Sequence, residues 1–191
     1  MSKIALSGSP TGTGVFTIES PSSNTSRTLV LPDEAGTVLT SASPVVLPKG
    51  VPAFSAFMLV GSQSLSSATW TKLTIDYEEF DTNSNYDTST YRFQPTVAGY
   101  YMVVGSIEWA NSPQTAVAML MFAKNGGLFA RGSGVLFGGT APVSTGSALI
   151  YCNGSSDYIE MYGYQNTGAN LLVFGTNKFS TRFSGVLVRA A

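Results

Sequence analysis

The fold class of this chain is decided by the stretch Gly99-Tyr100-Tyr101-Met102-Val103-Val104-Gly105-Ser106-Ile107-Glu108-Trp109. Successive side chains of a strand point to opposite faces, and here both faces are apolar over the first half of the stretch. Residues 115–124 show the same pattern. A two-layer sandwich covers one face of each strand, so the second face needs another cover. Self-association is the favoured cover, and a third layer or a covering loop is the alternative. The predicted interface side chains are Tyr100, Met102, Val104, Val117, Met119 and Met121.

The surrounding sequence predicts an all-β head. From about residue 53 onward, no stretch keeps helical periodicity for three turns, and turn residues separate short apolar runs. Regularly spaced short strands are typical of a sandwich or a barrel. Asn125-Gly126 predicts a two-residue hairpin turn, because both residue types tolerate positive φ. The predicted strands are 53–60, 69–75, 77–81, 89–95, 99–109, 115–124, 127–131, 145–152, 157–165 and 180–189.

The composition divides the chain into three zones. Residues 1–40 are rich in Gly, Ser, Thr and Pro and hold two strand-like groups, 15–18 and 28–31. Two isolated strands are not stable in water, so this segment is predicted to need other copies of itself or a larger assembly. Residues 41–51 read as a linker, and residues 52–191 form the head.

Charge and composition exclude several function classes. The formal net charge is −1 and only 11% of the residues are charged. No basic run forms a phosphate-binding face, so we expect no nucleic-acid partner. The start of the chain lacks the apolar core of a secretion signal, and the longest apolar stretch, 116–123, is too short to span a membrane. We therefore expect synthesis in a cytoplasm and no membrane insertion.

Catalytic chemistry has little support in the sequence. The chain has no histidine and one cysteine, Cys152, which removes Ser–His and Cys–His pairs and the usual zinc ligands. Cys152 lies in an apolar run, where a buried structural thiol is expected. The scattered carboxylates match no glycosidase pattern. We predict that the protein is not an enzyme.

One acidic cluster raises the question of a metal site. Asp76, Glu78, Glu79 and Asp81 supply oxygen ligands of the kind that calcium prefers. Their spacing is not that of an EF-hand, and acidic residues also discourage unwanted pairing at a sheet edge. The edge interpretation is favoured. The sequence thus predicts no cofactor, with calcium as the alternative.

Loops on a rigid scaffold are where recognition usually occurs. The Gly-rich residues 132–144 read as a flexible loop, and with the loops at 111–115 and 165–178 they form the predicted contact surface. Its candidate side chains are Asn111, Gln114, Phe137, Asn166 and Asn170. Tyr158, Tyr162 and Tyr164 form an aromatic row, for which packing in a core or an interface is favoured over stacking on sugar rings.

Four segments of the head resemble landmarks of C1q-type domains. Tyr91–Tyr101 is similar to their F-x-x-x-x-x-G-x-Y signature, and Ala123–Gly126 to their K-N-G hairpin. Ser156–Met161 takes the place of the G-D-x-V-x-L strand, and Arg182–Val188 resembles the terminal F-S-G-x-L strand. The resemblance implies a ten-stranded C1q/TNF-like jelly roll assembled as a trimer around a threefold axis.

The first forty residues resemble a different group of proteins. Gly12–Ile18 and Arg27–Leu39 are similar to a segment that recurs in phage tail-fibre and related virion proteins, where it precedes a separate tip or fibre module. Together the two resemblances imply a trimeric virion fibre or tail-tip adhesin that attaches to other virion proteins through residues 1–40. Its head would bind a host-cell surface receptor, either a glycan, which is favoured, or a protein. The alternatives are a virion decoration or head-fibre protein without a receptor, and a bacterial C1q-like adhesin.

Overall fold

A computed structural model of the chain describes residues 11–15, 17, 22, 24–26, 28, 51–111, 116–136 and 142–191. The chain divides into two compact units, Met1–Pro44 and Val45–Ala191. The described residues of the first unit are exposed and belong to no strand. Most of the two strand-like groups predicted there lies outside the described residues, as does the predicted linker 41–51 apart from Val51.

The described part of the second unit is built from β-strands and contains no helix. No helix long and apolar enough to cross a membrane therefore occurs among the described residues. The strands are β1 (Ala53–Phe57), β2 (Gln63–Leu65), β3 (Thr71–Lys72), β4 (Tyr77–Asp81), β5 (Tyr86–Asp87), β6 (Arg92–Phe93), β7 (Ala98–Glu108), β8 (Val117–Lys124), β9 (Gly127–Leu136), β10 (Val143–Asn153), β11 (Ile159–Gln165), β12 (Leu171–Val173) and β13 (Arg182–Ala190).

Two antiparallel sheets face each other. The five-stranded sheet has the order β10-β7-β13-β1-β4, and the six-stranded sheet has the order β5-β6-β11-β8-β9 with β3 also paired to β11. A small two-stranded sheet joins β12 to β2. Strands that are distant in the sequence are neighbours in both sheets, which is the crossed connectivity expected of a jelly roll.

The core lies between the inner faces of the two sheets. On β7, Tyr101, Val103 and Ile107 are fully buried. The ring of Phe54 stacks on Phe93 with centroids 4.2 Å apart. Each large apolar side chain buried in this way contributes about 1.5–3 kcal/mol. The alternation that the sequence predicted for residues 99–109 is therefore present.

The hairpin between β8 and β9 has the predicted turn. Asn125 and Gly126 have φ angles of 54° and 77°, the combination that a two-residue turn with right-handed strand twist requires. The Asn125 side chain also fixes the neighbouring segment, since its Oδ1 accepts a hydrogen bond from the amide of Tyr158.

The prediction of a flexible loop at 132–144 is wrong at both of its described ends. Strand β9 continues to Leu136, and β10 begins at Val143. The glycines in this region serve close packing: a Cβ placed on Gly132 would lie 2.6 Å from the carbonyl oxygen of Thr145 and 3.1 Å from Cα of Gly146. The edges of the two sheets therefore meet here through backbone atoms.

Several predicted strands are shorter in the structure. The candidate at 89–95 is reduced to β6, because Asp87 accepts hydrogen bonds from the amides of Ser89 and Thr90 and Tyr91 has a φ of 55°. Such an Asx turn competes with strand pairing. Strands β2, β5 and β12 have only two or three residues each, and the sequence did not predict them as separate strands.

The sandwich has two distinct ends. At the proximal end, Pro52 accepts a hydrogen bond from the amide of Leu187, and Ala98 accepts one from the amide of Ala191. At the distal end, the segments that lead into the loops after β7, β9 and β11 lie together. There the amide of Trp109 donates to the carbonyl of Pro142, and the amide of Asn166 donates to the carbonyl of Val117.

Candidate functional site

The outer face of the five-stranded sheet carries a contiguous group of exposed apolar side chains, which we call the apolar face. Met102 lies opposite both Leu149 and Val186, and the rings of Tyr100 and Tyr151 are 5.4 Å apart. Exposed apolar patches of this kind mark interaction sites on soluble proteins. The apolar face consists of Tyr100, Met102, Val104, Leu149, Tyr151, Val186 and Val188, which are 36% to 58% exposed.

A groove of about 490 Å³ lies at the proximal end of the apolar face. Tyr100, Leu149 and Val188 line it together with the last residues of the chain, Arg189 to Ala191. The face is therefore concave at this end, and a complementary surface can fill it.

A polar network borders the apolar face on β1, β4 and β13. Arg182 Nη2 donates to Glu79 Oε2 at 2.6 Å and to Ser55 Oγ at 2.8 Å, and Ser55 Oγ donates to the same Glu79 oxygen at 3.0 Å. The hydrogen bond from Ser55 and the positive charge of Arg182 lower the pKa of Glu79. This carboxylate therefore has a protein cation as its partner.

The structure does not bring the four predicted calcium ligands together. Both carboxylate oxygens of Asp76 accept backbone amides, from Leu59 and Val60. Asp81 accepts the amides of Asn83, Asn85 and Tyr86 in a turn. Glu78 is exposed on the edge strand β4. The described residues contain no group of three or more Asp, Glu, Cys or His side chains that could hold a metal ion.

The six predicted interface residues lie on two opposite surfaces. Tyr100, Met102 and Val104 belong to the apolar face, whereas Val117, Met119 and Met121 are half-buried on the outer face of the six-stranded sheet. They separate because β7 and β8 lie in different sheets. Two strands with the same apolar pattern do not have to point toward one interface.

The outer face of the six-stranded sheet carries aromatic and charged side chains, and we call it the aromatic face. Trp70 and Tyr164 are in contact, with ring centroids 5.0 Å apart. The buried carboxylate of Glu160 lies 3.2 Å from Lys72 Nζ and 3.3 Å from Arg92 Nη2. The sequence pointed to the tyrosines of this face, but it gave no signal that Trp70, Lys72 and Arg92 would join them from other strands.

Further contacts tie the aromatic face together. The Tyr162 hydroxyl donates to Glu160 Oε2 at 3.3 Å, and burial together with that carboxylate raises the pKa of Tyr162. The Arg92 guanidinium lies 4.1 Å from the ring centroid of Tyr158. All three tyrosines of the predicted row are half-buried, and they lie on the surface of the sheet instead of in the core.

The predicted receptor-contact residues that the structure describes are exposed. Asn111, Asn166 and Asn170 lie at the distal end or in the turn beside it, and Asn166 Oδ1 accepts a hydrogen bond from the amide of Val117. Gln114 and Phe137 lie outside the described residues. The sequence missed two exposed apolar side chains near this end, Val60 and Phe179, which are 82% and 79% exposed.

Comparison with known proteins identifies the fold. No family model and no curated protein matches the chain. Solved structures do match: the globular domain of zebrafish complement 1qA protein (17% identity, TM-score 0.50, 74% of this chain and 99% of that one) and Eiger TNF from S. frugiperda (12%, 0.55, 74% and 95%). Vertex protein P5 of PRD1 also matches (15%, 0.50, 73% and 99%).

These likenesses confirm the predicted fold class. The chain contains an all-β, C1q/TNF-like jelly-roll domain. The matches cover 74% of the chain, which is close to the length of the second unit, Val45–Ala191. The identities are low, so the likenesses establish the architecture alone.

Proposed function

We propose that this chain is a phage virion structural protein, a homotrimeric fibre or tail-tip adhesin whose head binds a receptor on the host-cell surface. The favoured receptor is a glycan. The single observation that carries the proposal is the apolar face, because an isolated head would leave its seven large apolar side chains in water. A C1q/TNF-like fold and the likeness to a phage vertex protein support it.

The trimer is the arrangement that best accounts for the apolar face. Interface centres are depleted in charge and enriched in aromatic residues and methionine. The apolar face has this composition, with Tyr100, Tyr151 and Met102 and no charged member. A second copy that packs into the groove at its proximal end covers the side chains that the protomer leaves exposed.

In the proposed adhesin, the distal end of the sandwich contacts the receptor. The first described strand of the head, β1, begins next to Pro52 at the proximal end. The loop residues Asn111 and Asn166 lie at the distal end, opposite to Pro52. Three copies would present three such ends, and simultaneous binding multiplies weak individual affinities.

No catalytic role is proposed. Among the described carboxylates, Glu160, Asp157 and Glu79 are paired with cations, and Asp76 and Asp81 accept backbone amides. General acid–base catalysis needs a carboxyl group within reach of a substrate, and these groups serve structural contacts.

Size-exclusion chromatography with light scattering tests the trimer. The expected mass is three times the 20.1 kDa of the chain. Leu149→Arg puts an unpaired charge into the apolar face, where Leu149 is 53% exposed, and is expected to give monomers. The matched control is Leu172→Arg, because Leu172 is 42% exposed but lies in β12, outside the apolar face. A monomeric wild-type protein contradicts the proposal.

The likeness to a vertex protein favours a second candidate, a virion decoration or head-fibre protein that binds no receptor. Deleting residues 52–191 separates the two functions. An adhesin loses host adsorption while particles still assemble, whereas a decoration protein leaves adsorption unchanged. Purified wild-type protein that fails to bind host cells also favours the second candidate.

A further inference from the structure

The aromatic face combines aromatic rings with cationic groups that the fold leaves available. Lys72, Tyr162, Met121 and Arg131 lie opposite one another on four neighbouring strands, β3, β11, β8 and β9. Directly opposed residues of an antiparallel sheet project from the same face. The row therefore crosses about 14 Å of sheet at the usual strand spacing, with a cation at each end.

A parallel row supplies flat apolar surface. Tyr164 lies opposite Met119, which lies opposite Gly134, and Trp70 packs against Tyr164 from the other side. Because Gly134 has no side chain, the row stays open beside Met119. The rings of Trp70 and Tyr164 are half-buried, so part of their flat surface is accessible on the aromatic face.

The protein carboxylates of the aromatic face do not neutralise all of its cationic side chains. Glu160 is buried beneath Lys72 and Arg92 and neutralises one of them. The Nε of Arg92 is buried and has no hydrogen-bond partner among the described residues. Arg131 is exposed and forms no ion pair with any described residue. The other carboxylate of this face, Asp87 on the edge strand β5, accepts hydrogen bonds from Ser89 and Thr90.

We infer that the aromatic face binds an acidic carbohydrate chain. The rings of Trp70 and Tyr164 stack on the apolar faces of sugar rings. The Arg131 guanidinium pairs with a carboxylate of the ligand, for which its fork is well matched. The positive charge that Lys72 and Arg92 together retain over Glu160 adds to the attraction. This site deepens the proposed receptor binding and rests on it, and it lies on the sheet opposite to the apolar face and outside the predicted loop residues.

The chain provides its own reporter for this site. It has two tryptophans, and Trp109 is fully buried whereas Trp70 is half-buried on the aromatic face. Acrylamide therefore quenches Trp70 selectively in the folded protein. We expect polygalacturonate oligosaccharide to shield Trp70 of the full chain from acrylamide, and the methyl-esterified form of the same oligosaccharide to give no protection. Added salt should weaken the protection, because it screens exposed charges.

Two matched variants locate the contact. Arg131→Gln removes an exposed cation from the aromatic face and is expected to raise the Kd for polygalacturonate about fivefold. Lys178→Gln makes the same change of charge on an exposed residue outside the six-stranded sheet and is expected to leave the Kd unchanged. Neither residue is buried, so both variants should fold. Equal effects of the two variants indicate non-specific charge attraction and overturn the inference.

The remaining outcomes separate this site from the proposed function. If Trp70 is already shielded from acrylamide in the ligand-free trimer, the aromatic face lies in a subunit interface and the proposed site is overturned. Host-cell binding without any protection of Trp70 by polygalacturonate also overturns it, while receptor binding stands. Protection of Trp70 that depends on Arg131, in a protein that binds no host cell, supports the site and refutes the receptor role of the whole protein.

Discussion

Replacing Gly132 with alanine tests how closely the edges of the two sheets meet. The new Cβ would lie 2.6 Å from the carbonyl oxygen of Thr145 and 3.1 Å from Cα of Gly146. Both atoms belong to the backbone of β10, so they cannot rotate away. Overpacking of this kind costs about 1–3 kcal/mol, against which the lower chain entropy of alanine returns about 0.4–1 kcal/mol. The expected net loss of unfolding free energy is about 1–2 kcal/mol.

Gly134→Ala is the matched control in the same strand. Its Cβ would lie 3.4 Å from Met119 Cγ and 3.6 Å from Val117 Cγ1, which are ordinary contacts. The variant is therefore expected to be neutral, or stabilised by about 0.4–1 kcal/mol. Neither glycine has a positive φ, so the two substitutions differ in packing and not in backbone strain.

Urea and thermal unfolding at one fixed protein concentration distinguish these variants, because the proposed subunit association would contribute to the apparent stability. At about 2–4 °C for each kcal/mol, Gly132→Ala should lower Tm by roughly 2–8 °C relative to wild type. Equal unfolding midpoints for the two variants would refute the close approach of β9 and β10. They would favour the flexible loop that the glycines suggested.

Three further predictions follow from buried groups. Hydrogen bonds from Asn125 and Lys124 lower the pKa of Asp157, so its stabilisation is present above about pH 4 and is lost as the pH falls through the folded pKa. Asp157→Asn should lower the free energy of unfolding by about 1 kcal/mol at pH 7. Unfolding titrations below pH 4 should show a smaller difference from wild type, and a difference that does not change with pH contradicts this. Burial raises the pKa of Tyr101 to about 12, and its hydroxyl donates to the Val97 carbonyl at 2.7 Å. Its contribution of about 1 kcal/mol is complete below about pH 10 and is lost through pH 12. Tyr101→Phe should therefore unfold more easily than wild type at pH 8, with the gap closing as the pH rises, and a gap that persists at pH 12 argues against the assignment. Burial raises the pKa of Cys152 to about 11, so Ellman's reagent should react with the unfolded chain and not with the folded chain at pH 8, and rapid reaction of the folded chain contradicts its burial.

The sequence predicted the hairpin turn and the strand alternation, because each depends on residues that are neighbours in the chain. The Asn125-Gly126 turn depends only on which residues accept positive φ, and both residues adopt it. The alternation along residues 99–109 depends on the period of a strand, and it places Tyr101 inside and Tyr100 outside. Both features are therefore visible without knowledge of any partner strand.

Contacts between distant residues account for the errors. Gly132 reads as a loop residue until Gly146, on another strand, is known to approach it. Residues 89–95 have strand character, but the side chain of Asp87 turns the chain before they can pair fully. Strands β2 and β12 pair with each other across more than a hundred residues, and neither has enough residues to give a periodic signal.

The aromatic face also combines a feature that the local sequence predicts with contacts that only the folded chain creates. The spacing of Tyr162 and Tyr164 predicted that the two rings share one side of a strand, which is what the structure has. Trp70, Lys72 and Arg92 join them from strands elsewhere in the chain, and Glu160 becomes a shared counter-ion only through that assembly. In the sequence alone, Glu160 is one of several scattered carboxylates with no identified partner.

The positions of residues 52 and 191 at the same end of the sandwich have a practical consequence for engineering this domain. A peptide appended after Ala191 would emerge beside Ala98 and next to the groove of the apolar face, where it would compete with the proposed packing of a second copy. A peptide inserted at Gly168, an exposed turn residue with a φ of 85°, extends from a turn beside the opposite end. Epitope display and affinity tags should therefore use that internal turn in preference to a fusion directly after Ala191.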